Sequence, residues 1–440
     1  MSSSNTVPGP SGLQTDFFQL VQTALYHADG MWGDATVDLY LRNLPDDHGY
    51  MVAAGIQEAL DAIVNVGFTA DEIDWLRSLP LYENLRTTFF ESLRHFEFKG
   101  DVWAVADGTP VFPREPILRL TAPLPQVGLF ETLLTRRVAA ASAIATKARR
   151  MAIAARGHGI LDFGTRRVPG QELSLLAARA AFIGGTSGTT HTHAARHLGI
   201  PVVGDVSGTM LAAYDNESRA YQALASLFPH ACHFNLPNKD PAAGVDQLIE
   251  VKSSVQTVRI DHPDLGHASR TVRAQLDANQ MRHVRIIGGG PLDESRIGQL
   301  LQDGCPIDLF AVGDALSSGI SGGDFELSYR LAALVRGTVS EPVRGHWCSY
   351  WPGIKQVFRY PDHDLICSEV ECPRQVEQGG TALLQPMVVQ GVRMRPSPPL
   401  NDQQEYCHRA AAALPDPVLR LNGPVEFTVH ASETLRGIRG

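Results

Sequence analysis

The chain has 440 residues, of which 44% are hydrophobic and 19% charged, with a formal net charge of −9. This is the composition of a globular protein large enough for two or more domains, and its acidic balance argues against a nucleic-acid or other generic polyanion binder. No apolar run reaches the length of a membrane span, because Arg or Lys interrupts even 138-VAAASAIATKARRMAIAARG-157.

The opening 1-MSSSNTVPGPSG-12 has no apolar core, so residues 1–13 read as a disordered tail and not a signal peptide. Residues 14–124 mix helical periodicity, in 52-VAAGIQEALDAIV-64 and 71-DEIDWLRSL-79, with strand-like pieces. Within them 99-KGDVWAVADGTPVFP-113 alternates and carries turn residues, which predicts a small antiparallel unit.

Over 125–335 the pattern changes to short apolar runs separated by helical stretches. The runs are 159-GILDFG-164, 180-AAFIGG-185, 200-IPVVGD-205, 231-ACHFN-235, 257-TVRID-261, 284-VRIIGGG-290 and 307-IDLFAVGD-314. Continuous apolar strands alternating with helices predict parallel β/α units, and so many in series favour closure into a barrel. Each run ends in Gly, Asp or Asn, and ligands bind where such strands end. Residues 336–440 are strand- and Pro-rich, as in 355-KQVFRYP-361 and 380-GTALLQPMVVQGV-392, and are expected to pack on the N-terminal part.

The strand ends carry the candidate chemistry. In 161-LDFGTRR-167, Phe163 offers a ring to stack on and the arginines offer forks for carboxylate or phosphate. The stretch 184-GGTSGTTHTHAARH-197 places small hydroxyl residues before a helix, where backbone N–H groups favour an anion. His191, His193 and His197 lie there, but no carboxylate completes a metal set. In 257-TVRIDHPDL-265, Arg259, Asp261, His262 and Asp264 suit a ribose diol, a Mg²⁺ ion or base catalysis. The turns 286-IIGGGPLDESRI-297 and 310-FAVGDALSSG-319 are glycine-rich and suit phosphate.

Six cysteines without paired spacing suit reduced thiols in the cytosol. His346, Cys348, Cys367 and Cys372 allow a zinc reading, but their spacing favours scattered structural thiols.

Taken in order, 15-TDFFQL-20, 99-KGDVWAVADGTPVF-112, 159-GILDFGTRR-167, 184-GGTSGT-189, 199-GIPVVG-204, 257-TVRID-261, 292-LDESRI-297 and 304-GCPIDLFAVG-313 resemble the nicotinate phosphoribosyltransferase family over nearly the whole chain. The resemblance implies a distorted parallel β/α barrel plus a second α+β domain formed from the N- and C-terminal segments, assembled as a homodimer with shared sites. It implies nicotinate mononucleotide formation from nicotinate and phosphoribosyl pyrophosphate. Phe163 would be one face of a pyridine sandwich and Phe18, supplied by the partner subunit, the other. Arg166 and Arg259 would hold carboxylate or phosphate, and Thr190 would lie near the pyridine acid. Asp261 would face the ribose, with Mg²⁺ a candidate cofactor. Gly288, Gly289 and Gly290, together with Gly313, would receive the 5′-phosphate.

The chain departs from the family at its phosphate chemistry. The family follows G-I-P-V-V-G with T-M-A-H-S, whose His is phosphorylated by ATP. Here Asp205, Val206, Ser207 and Gly208 follow, so Gly208 stands at the histidine position; a shifted alignment would put Ala212 there. The family's D-T-Y-D-T is 237-PNKDP-241, which keeps Asp240, and its D-S-G-D is 261-DHPD-264. Gly289 replaces a serine and Asp314 a threonine. An acid a few Å from a phosphate dianion costs roughly 1–4 kcal/mol unless a cation intervenes.

The first expectation is a transferase acting on nicotinate or a related aromatic acid without ATP coupling. The alternatives are a remodelled enzyme of specialised metabolism, using another acid or a pyridine nucleotide with His262, Lys239 and Asp205 in new roles, and a non-catalytic ligand-binding relative.

Overall fold

The computed structural model describes residues 10–228, 233–318, 325–336, 339–343 and 350–439. His346 and Cys348 lie outside them, as do residues 1–9 of the tail. The chain forms two compact units, one of residues 1–143, 322–399 and 409–440, the other of residues 144–321 and 400–408.

The first unit is built on a seven-stranded sheet whose order is Val339–Pro342, Leu327–Arg336, Asp34–Leu41, Pro116–Pro123, Asp101–Ala104, Gln385–Val389, Val392–Arg393. Every pairing is antiparallel, and segments from both ends of the chain interleave. Strand Asp34–Leu41 is buried at all positions but its first, so its Asp38 needs a charged partner. Lys355 supplies it at 2.7 Å, both side chains being fully buried.

Helix Ala70–Ser78 begins with a Thr69–Glu72 capping box. The periodic run 52–64 does not form one helix. Met51–Val52 pairs with Pro110–Val111, and the helix Ile56–Asn65 starts only after Gly55. At φ +80°, and with a Cβ there standing 2.8 Å from that of Ala141, position 55 accepts glycine alone.

The second unit is a six-stranded parallel sheet in the order Gly188–Thr189, Gly159–Asp162, Leu309–Val312, Arg285–Gly289, Thr257–Asp261, Phe234–Asn235. Single parallel bridges Thr189↔Val202 and Asp205↔His233 tie the 201–205 segment to both edges and close the ring. The barrel expected from the β/α pattern is therefore present.

Two of its expected strands are not. Residues 200–205 make only isolated bridges. Residues 180–185 end the helix Gln171–Gly184, whose second half is buried throughout. A short apolar run reads equally as a buried strand or a buried helix, and the alanines preceding this one extend it to helix length.

Side chains alternate across each strand, and register pairs share a face. Leu161, Ile287 and Ala311 fill the barrel interior, with Phe163, Val203 and Leu309 packed against them. The motif acid Glu294 faces elsewhere, held at 2.7 Å by Lys147 and 2.9 Å by Arg150, and is structural. Among the described residues no helix is long and apolar enough to cross a membrane.

Candidate active site

Arg259 lies in strand Thr257–Asp261, in register with the interior residue Ile287, and so projects inward above the apolar plug. Its Nη1 donates to Asp205 Oδ2 and its Nη2 to Asp261 Oδ2 at 3.0 Å. Arg259 is 14% exposed and Asp205 12%, so this pair is largely dehydrated. Asp261 is more open, at 39%. The Arg259 Cζ stands 5.0 Å from the Phe163 ring centroid, within cation–π range.

Gly289 pairs with Asp261 across the sheet and lies against the same guanidinium. A Cβ at Gly289 would stand 2.8 Å from Arg259 Nε and 2.9 Å from Nη2. Arg259 Nε is buried without an acceptor among the described residues. Gly290, at φ +105°, turns the chain out of the strand beside Asp261 Oδ1, while Gly288 points to the other face, toward Leu265 and Ile307. Of the glycine turn, positions 289 and 290 thus line the site and Gly288 packs the helix layer.

Phe163 follows its strand directly, its N–H bonding Val312 O at 2.8 Å. Gly313 lies under it, where a Cβ would come 3.1 Å from Phe163 O. Asp162 points outward and shapes the turn: Oδ1 accepts Gly164 N–H at 2.8 Å and Oδ2 accepts the Thr189 hydroxyl at 2.7 Å. Burial raises its pKa. Thr190 reaches Thr165, hydroxyl to hydroxyl at 3.2 Å, at the same rim.

Arg166 is exposed and without a hydrogen-bond or ion-pair partner among the described residues, and Arg167 pairs with Asp314. The acid at 314 therefore meets its cation within the chain.

Other expected residues are engaged differently. His262 Nδ1 accepts from Asp264 N–H at 3.0 Å, which turns its ring onto its own loop. Asp240 is an exposed N-cap, accepting from Ala243 N–H at 3.0 Å. Gly208 opens the short helix Gly208–Ala212, capped by Ser207, and a Cβ there would meet nothing within 4 Å.

The exposed Phe18 belongs to helix Phe17–Ala28 of the first unit. His191 is a structural histidine, its Nε2 2.9 Å from Ser174 Oγ, and burial lowers its pKa. Among the described residues no cluster of three His, Cys, Asp or Glu could hold a metal. Cys367 and Cys372 are free thiols, and burial raises the pKa of both.

Two site residues were not singled out from sequence. Asn235 is the register partner of Arg259, with its Oδ1 buried and lacking a donor among the described residues. His233, bridged to Asp205, has its pKa lowered chiefly by burial. The signal available was position, since both sit on the run 231–235 that ends in a polar residue at the ligand-binding rim.

An aromatic shelf, an inward guanidinium and acids meet at the C-terminal ends of the parallel strands, the end of such a ring where ligand sites form. The fold matches that of human nicotinic acid phosphoribosyltransferase (TM-score 0.81, 21% identity, 96% of this chain and 99% of that one). It also matches a protein described as nicotinate-nucleotide pyrophosphorylase from Pyrococcus furiosus (TM-score 0.75, 21% identity, 94% and 97%).

Residues 13–139 match the family described as nicotinate phosphoribosyltransferase N-terminal domain. A nicotinate phosphoribosyltransferase of Mycobacterium tuberculosis is 33% identical over 93% of this chain and 88% of its own length. One from Bacillus subtilis is 31% identical over 73% and 66%. The chain belongs to the nicotinate phosphoribosyltransferase family and is an enzyme of the phosphoribosyltransferase class.

Proposed function

We propose that the protein transfers a phosphoribosyl group from phosphoribosyl pyrophosphate to a pyridine of the nicotinate class, without ATP coupling. The carrying observation is Gly208, an exposed residue with no side chain at the family's phosphorylated histidine. Ribosyl transfer proceeds through an oxocarbenium-like state, so positioning and electrostatic stabilisation suffice for the chemistry itself. Phe163 stacks the pyridine, Arg259 faces its ring substituent, Asp261 orients the ribose, and Gly289 and Gly290 admit the 5′ end.

Asp261 fits a Mg²⁺ ion in the usual manner of one carboxylate plus substrate oxygens, since its Oδ1 takes no hydrogen bond among the described residues. The ion would supply charge neutralisation for the pyrophosphate. A second copy of the chain would bring Phe18 to the ring; the exposed stripe Phe17, Phe18, Val21 and Leu25 on one helix supports such a homodimer. The cysteine usage supports a cytosolic location.

The test is a mass-spectrometric product assay with nicotinate, phosphoribosyl pyrophosphate and Mg²⁺, with and without ATP. Equal nucleotide formation in both is expected. ATP stimulation would remove the uncoupled reading.

A second reading is favoured by the occupied guanidinium: a remodelled enzyme that takes another acid or a ready-made pyridine nucleotide. It is tested by thermal shift against a ligand panel, and no response to any nucleotide or aromatic acid counts against it.

A further inference from the structure

The inner wall of the barrel carries more hydrogen-bond acceptors than its guanidinium satisfies. Arg259 already holds the carboxylates of Asp205 and Asp261, so the triad carries one net negative charge. Asp205 Oδ1 takes no hydrogen bond among the described residues. Asn235 shares a face with Arg259, and its Oδ1 is buried without a donor among the described residues. His233, beside Asp205, has its pKa lowered chiefly by burial and against the pull of Asp205, which disfavours a compensating positive charge there. All of this surrounds the guanidinium whose Cζ lies over the Phe163 ring, 5.0 Å from its centroid.

A substrate carboxylate would be the third at one guanidinium. It brings only acceptors and a like charge to a wall that already has both. A carboxamide brings two N–H donors and no charge. Asp205 thus stands where an anionic ring substituent would otherwise meet Arg259. We propose that Asp205 is a specificity-determining residue that directs the site to an uncharged pyridine carboxamide and against the corresponding carboxylate. This rests on the pyridine-acceptor reading above and names the chemical class of that acceptor.

The experiment is isothermal titration of the full chain with pyridine-3-carboxamide and pyridine-3-carboxylate, for the native protein and Asp205→Asn, alongside product assays with phosphoribosyl pyrophosphate. The native protein is expected to bind the carboxamide at least about tenfold more tightly, about 1.4 kcal/mol. In Asp205→Asn the ratio is expected to narrow or invert, because Arg259 regains a free N–H for the acid.

Equal or tighter binding of the carboxylate by the native protein overturns the proposal, and this outcome does not depend on the variant folding. A ratio unmoved by Asp205→Asn overturns the role of the residue. Product from the carboxylate alone defeats the inference but leaves the transferase reading intact. Binding of neither pyridine defeats the acceptor reading and the inference with it.

Discussion

Gly289 leaves open the space in which Arg259 lies: a Cβ at 289 would be 2.8 Å from Arg259 Nε. The loss of a side chain at one strand end and the seating of the arginine on its neighbour are thus one structural fact. Gly289→Ala should push the guanidinium off Asp261. We expect a loss of about 1–3 kcal/mol in stability from overpacking and at least a tenfold weaker pyridine affinity. Denaturant melts and titration calorimetry together check this; an unchanged affinity would contradict the placement of Arg259 in the site.

Arg259→Ala leaves the largely dehydrated carboxylate of Asp205 without its cation. Breaking such a pair costs about 3 kcal/mol, and the loss of an oriented charge should lower kcat/KM by two orders of magnitude or more. Steady-state kinetics and a thermal melt on the same preparation give both numbers. A near-native rate would remove Arg259 from the machinery.

Asp314 and Arg167 form an exposed pair, 66% and 56% accessible, whose contribution to stability is under about 1 kcal/mol. Asp314→Thr should therefore leave the melting temperature almost unchanged. It frees Arg167 for a phosphate, so the KM for phosphoribosyl pyrophosphate should fall several-fold. An unchanged or higher KM would show that this acid does not oppose the donor.

At position 208 the backbone is not left-handed and a Cβ would meet no described atom within 4 Å. Gly208→His should fold with stability within about 0.5 kcal/mol of the native protein. Because the neighbouring phosphate residues are also replaced, we expect no incorporation of radiolabelled phosphate from ATP. Label on the new histidine would mean that a single residue separates this chain from coupled relatives.

His191 and His233 both have pKa values lowered by burial. A group depressed in the folded state is protonated more readily when unfolded, so its stabilisation is complete above pH 6.5 and is lost as the pH falls through the folded value. Melting temperature should accordingly drop on acidification from pH 7 toward pH 5. His191→Gln should flatten part of that slope; an identical slope in the variant would assign the titration elsewhere.

The ring was legible because its strands are short, apolar and punctuated, and the DFG and VRID ends fall on the rim where the pattern placed them. Residues 180–185 were misassigned as a strand because local periodicity does not distinguish a buried strand from the last turn of a buried helix. The pairing of Asp205 with Arg259 was not legible. It spans 54 positions and exists only once the 201–205 segment has closed the sheet. Asn235 was missed for the same reason: an amide at a strand end acquires meaning only from the residue beside it.

That closure has a mechanical consequence. Between Thr189 and His233 the ring is fastened by a few backbone bonds, Thr189 N–H to Pro201 O, Val203 N–H to Thr189 O and His233 N–H to Gly204 O. The Asp205–Arg259 ion pair is the side-chain clasp over that seam. A ligand that drew Arg259 away from Asp205 would loosen the barrel at its weakest joint, whereas one that left the pair intact would keep the hoop shut. Amide exchange at Val203 and His233 would then report which kind of ligand is bound.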